Sequence, residues 1–149
     1  MTIKKSLFIA AFMLLATTMA NAAKKTIYKP WSNGKLKVSA NQRYLIHENG
    51  TPFFWLGNTA WLLPERLNRD EAEYFLAKER ELGYNVEQIQ VLNAIPTFNV
   101  YGQQANNKEF DFSKVSKPGV YGYWEHLDYI IDRAADNGIY IAMDCIWGS

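Results

Sequence analysis

The sequence holds one cysteine, Cys145, and two histidines, His47 and His126. A lone cysteine excludes an internal disulfide framework. Lying inside the apolar run Ile139 to Trp147, it reads as a small buried hydrophobe rather than a nucleophile. The two histidines lack His-Glu-x-x-His spacing, so no metal is expected, and each reads as a packing or surface residue. No Gly-x-Ser-x-Gly elbow is present, and no glycine-rich fingerprint follows a strand, which removes serine-hydrolase and dinucleotide or phosphate-loop chemistry. No cofactor is expected. Charge of one sign is also missing: 16 Lys and Arg stand against 15 Asp and Glu, for a net charge of +1. Without a basic stripe, nucleic acid is not an expected partner.

What is present begins with an export signal. Lys4 and Lys5 form a positive start, Leu7 to Ala16 an apolar stretch, and Ala20-Asn21-Ala22 a small-x-small cleavage pattern. The apolar stretch is shorter than the roughly 20 residues of a membrane span, and Lys24 and Lys25 follow closely. Residues 1–22 are therefore read as a signal peptide cut after Ala22. The product is expected to be exported, periplasmic or secreted, with no membrane association once the leader is gone. Residues 23–35 read as a flexible approach segment, punctuated by Pro30 and Gly34. Residues 36–149 then form one domain.

In that domain Leu36–Ser39 and Arg43–His47 are short strand candidates, the second pairing with Phe53–Gly57 across a two-residue Asn49-Gly50 turn. Asn68 and Glu71 form a capping-box pattern before Ala72, Phe75 and Leu76, and Gly83 closes that helix. Asn85–Leu92 follows as a strand. Tyr123–Asn137 is a second helix with Leu127, Ile130, Ile131, Ala134 and Ala135 on one face and Gly138 as its stop. Ile139–Trp147 is the last strand. Near-continuous apolar strands alternating with helices predict an α/β fold, a parallel sheet covered by helices. A (β/α)8 barrel and an open doubly wound sheet both satisfy the pattern. The long aromatic-rich connection Asn93–Val120 sits where barrels build their active-site face.

Strand alternation narrows the candidate site. Phe54, Leu56 and Asn58 share one face of the first strand, with Asn58 at its carboxyl end. Gln88 and Gln90 lie opposite Ile89 and Val91 on the second, and Asp144 lies opposite Met143 and Cys145 on the third. A carboxylate directed at the helix layer would be dry and costly, so Asp144 is expected to look the other way. Asn58, Gln90 and Asp144 then converge as a polar layer at the carboxyl ends. Such a layer serves a ligand or a purely structural hydrogen-bond network equally well. Trp61 and Trp147 are candidates for stacking on a sugar face, and flat rings on barrel strands serve core packing about as often.

Leu36-Lys-Val-Ser39, Asn49-Gly-Thr-Pro-Phe-Phe-Trp-Leu-Gly-Asn-Thr-Ala-Trp61 and Leu67-Asn-Arg-Asp-Glu-Ala72 occur in order. With Tyr123-Trp-Glu-His-Leu-Asp-Tyr-Ile-Ile-Asp-Arg-Ala134 and Ile146-Trp-Gly-Ser149, they resemble the opening of the apiosidase-like glycoside hydrolases, family 140. The first-strand pattern associated with that family is more often Gly-Asp-Thr-Ala-Trp. Here Asn58 keeps the shape and lacks the charge.

The resemblance implies the N-terminal portion of a (β/α)8 TIM barrel, about three strands and two helices after a β-hairpin, acting on plant cell-wall carbohydrate of the pectic kind. Barrel glycosidases work through two carboxyl groups. In the related barrels these follow strands four and seven. A closed barrel of this kind takes about 250 residues. The 149 residues here are thus expected to hold substrate-binding elements and no catalytic residue. Glu65, between Pro64 and Arg66, reads as a solvated loop residue. Two other readings stay open: a carbohydrate-binding or interaction protein without catalysis, and a truncated product without function.

Overall fold

The computed structural model describes residues 29–106, 119 and 121–146. In chain order the elements are β1 (Leu36–Val38), β2 (Leu45–His47), β3 (Pro52–Phe53), β4 (Gly57–Thr59), α1 (Leu63–Arg66), α2 (Arg69–Leu82), β5 (Val86–Gln90), α3 (Tyr123–Asp136) and β6 (Tyr140–Asp144). They form an antiparallel sheet β1-β2-β3 and a parallel sheet β4-β5-β6. The signal-peptide region lies outside the described residues, as do residues 107–118 and 120 of the connection before α3.

Each helix starts and stops for a local reason. Asn68 accepts from the Glu71 backbone N–H at 3.0 Å, and the Glu71 carboxylate accepts from the Asn68 N–H at 2.9 Å, a reciprocal capping box. Gly83 ends α2 at φ +95°, a conformation that disfavours any side chain. α3 begins after Gly122 without a side-chain cap, and Gly138, at φ +75°, follows its last turn. Ala72 and Leu76 on α2 and Leu127, Ile130 and Ala134 on α3 recur at helical spacing and are buried. They pack with Leu63, Ile89 and Ile139 into the core between helices and parallel sheet.

Register assigns the faces. Asn58 pairs with Glu87, Thr59 with Gln88, and Gln90 with Asp144. Ile89, in the core, marks the helix-covered side, so Glu87 and Asn58 face the helices while Gln88, Gln90 and Asp144 face away from them.

Four expectations change. The run Phe53–Gly57 is not one strand, because β3 pairs with β2 and β4 with β5 in the other sheet. Asn85 makes the break possible: its side chain accepts from the Leu56 N–H at 2.9 Å and donates to the Phe54 carbonyl at 2.7 Å. The hairpin turn is longer than two residues, since the His47 N–H donates to the Thr51 carbonyl and Gly50 sits at φ +88°. Cys145 is exposed, lying past the end of β6 rather than in the core. Within the approach segment, Lys29 pairs with Asp136 and the Pro30 carbonyl accepts from the Tyr140 hydroxyl at 2.8 Å. Phe53 meets Tyr140 edge-on at 5.6 Å, so the hairpin is held against the amino end of β6.

Candidate functional site at the carboxyl ends of the parallel strands

After β4 the chain stays against β5. The Ala60 N–H donates to the Gln88 carbonyl and the Gln90 N–H to the Trp61 carbonyl, both at 2.9 Å. This sets Trp61 beside Gln90. With Leu62 and Asn93 they line a cavity of about 330 Å³. That size lies at the lower end for small-molecule sites, and its position beyond the strand ends is where α/β sheets bind ligands. Asp144, half-buried on β6, stands in register with Gln90 on the same face. A larger hollow of about 520 Å³ lies along the outer side of α2, lined by Tyr74, Phe75 and Lys78, away from the strand ends.

Two connections wall the cavity and are tied together. Glu65 is on helix α1 and half-buried, not in a solvated loop as expected. Its Oε1 accepts from the buried Thr97 hydroxyl at 2.9 Å. Asn99, 4% exposed, braces the second connection: its Nδ2 donates to the Tyr121 carbonyl, and its Oδ1 accepts from the Tyr101 and Gln103 N–H groups. Trp124 Nε1 donates to the Ala105 carbonyl at 3.0 Å, and the Tyr123 hydroxyl donates to the Val91 carbonyl. Burial first, then the Glu65 charge, pushes the Tyr123 phenol well above its usual range, so it stays a donor. The Arg69 guanidinium lies over the rings of Tyr121 and Tyr129, at 5.1 and 4.5 Å. His126 is buried, and burial lowers its pKa despite the bond it donates to the Leu67 carbonyl. It is a packed residue, as is His47, which is 7% exposed.

Of the five residues expected at the site, Trp61, Gln90 and Asp144 come together at the strand ends. Asn58 does not join them. It faces α2, where its Nδ2 donates to Glu79 Oε2 at 3.1 Å, because its register partner is Glu87 and not Gln88. Placing β4 in one frame with Phe54 and Leu56 hid this, since those residues precede the strand. Trp147 lies outside the described residues. Asn93 and Leu62, which also line the cavity, carried no motif in the sequence. Among the described residues no three of His, Cys, Asp and Glu are grouped to hold a metal ion.

Two solved structures share this fold. One is a protein described as a glycoside hydrolase, 61% identical, with a TM-score of 0.78 over 83% of this chain and 28% of its own. The other is the crystal structure of a glycoside hydrolase family 5 protein from Bacteroides vulgatus ATCC 8482, 58% identical, with a TM-score of 0.78 over 83% of this chain and 27% of its own. No curated protein matches. The fold is thus that of a glycoside-hydrolase-like α/β protein. The family profile described as apiosidase-like, catalytic domain, matches residues 39–149, and the chain belongs to that family. It spans little more than a quarter of the two structures' lengths.

Proposed function

We propose that this chain supplies the first three strands of a (β/α)8 glycoside hydrolase barrel and part of its sugar-binding cleft, the catalytic carboxyl pair coming from the later strands of the barrel. The observation that carries the proposal is the cavity in which Trp61 stands beside Gln90 and Asn93 at the strand ends. An indole offers a stacking surface and two carboxamides offer donors and acceptors matched to neighbouring hydroxyls. Asp144 adds an acceptor in register with Gln90. The substrate in this reading is plant cell-wall carbohydrate of the pectic kind, a choice the apiosidase-like family supports, and the product is exported to the periplasm or beyond through residues 1–22.

Binding of pectic oligosaccharides to the full-length protein, measured calorimetrically, tests this. Trp61→Ala and Gln90→Ala should each weaken binding per folded molecule, the second by about 1–3 kcal/mol for the partner left unpaired. Wild-type affinity in both variants would remove the cleft. Mass spectrometry of the exported form should find Ala23 at the N-terminus, and a retained Met1 would refute the leader.

A further inference from the structure

The helix-covered face of the sheet holds an acidic pair that sugar binding does not use. Glu87, at the centre of β5, is 0% exposed, and Glu79, on the buried stripe of α2 after Ala72 and Leu76, is 7% exposed. Among the described residues one donor reaches the pair. Asn58 Nδ2 donates to Glu79 Oε2 at 3.1 Å, while Asn58 Oδ1 accepts from the Thr59 N–H at 2.8 Å. Neither oxygen of Glu87 receives a hydrogen bond from another group. From β4 Glu87 meets Asn58 as its register partner, from β6 Ile141, and from α2 the Glu79 carboxyl, whose charge acts on it. Of the arginines on α2 and α3, Arg133 pairs with Asp136 and Arg69 lies over the tyrosine rings.

Two ionised carboxylates enclosed in this layer, one fully buried and the other nearly so, would repel each other. One must carry a proton. With no donor at either of its oxygens, Glu87 carries the proton, and its hydroxyl then donates to the Glu79 carboxyl. We propose that Glu87 and Glu79 form a proton-sharing latch that holds α2 on β4 and β5, and that loss of the Glu87 proton to solvent releases it. Burial, followed by the Glu79 charge, raises Glu87 from 4.5 to about 8, in accord with this geometry. Because the folded-state value is raised, the latch contributes fully below pH 4.5 and its contribution is lost as pH rises toward 8.

Infrared difference spectra of the full-length protein titrated from about pH 5 to 9 should show a carboxylic-acid carbonyl band at pH 6 that Glu87→Gln removes. Equilibrium unfolding should show the wild-type unfolding constant rising with pH, approaching tenfold per unit where one proton separates the states. Glu87→Gln, whose amide donates without a titrating proton, should flatten that rise, and Glu79→Gln should move the band's midpoint downward. Should a variant fail to fold, the wild-type band and its midpoint decide the matter. Absence of the band at pH 6, a band unchanged in Glu87→Gln, or a wild-type pH slope kept in Glu87→Gln would overturn the proposal.

Discussion

Asn58 and Gln90 are both carboxamides on neighbouring strands, and one step of register gives them opposite roles. Gln90 shares a face with Asp144 and lines the cavity, whereas Asn58 donates to Glu79 beneath α2. Asn58→Ala should therefore lower stability by about 1–3 kcal/mol, as a buried carboxylate loses its donor, while leaving oligosaccharide affinity per folded molecule unchanged. Thermal unfolding beside calorimetric binding separates the two effects, and a loss of affinity would return Asn58 to the cleft. The alternation of Gln88 and Gln90 against Ile89 was legible in the sequence because β5 is one unbroken strand of five residues. Asn58 was not, because its frame depended on where β4 begins. Three residues leave almost no periodic signal, and the Asn85 clamp that ends the preceding stretch is an interaction across 29 and 31 positions.

Helices were easier to read than strands, because their ends are written in local chemistry. Asn68, Glu71 and Gly83 set the limits of α2 through contacts no more than a few residues apart. Asn68→Ala should cost about 1 kcal/mol through loss of the cap. Gly83→Ala meets no neighbouring atom but forces a side chain into φ +95°, which costs roughly 1–2 kcal/mol. Chemical denaturation of both variants checks the pair, and neutrality of Gly83→Ala would mean that the turn rearranges. α1 escaped notice because four residues carry no helical period, and with it went the position of Glu65. The brace from Glu65 to Thr97 joins two connections 32 positions apart, a distance that motif spacing does not encode.

Across the molecule, β4 and β6 border the parallel sheet, and among the described residues neither outer edge is paired. Large apolar side chains adjoin both: Phe54 and Trp55 before β4, Met143 and Ile146 at and beyond the end of β6. An unpaired edge beside exposed apolar surface is a template for association. A polypeptide limited to Met1–Ser149 should accordingly self-associate and unfold at low denaturant. Sedimentation velocity would reveal a stable monomer if the edges are harmless.

The bond from the Tyr140 hydroxyl to the Pro30 carbonyl joins residues 110 positions apart. During synthesis at about 5–20 residues per second, Tyr140 follows Pro30 by roughly 5–20 s. Hairpin strands and capped helices form in microseconds. The hairpin and α2 can thus be complete long before the floor of β6 exists to receive them. For that interval the ring of Phe53 has no Tyr140 to rest against, and nascent apolar surface stays open to whatever meets the growing chain first.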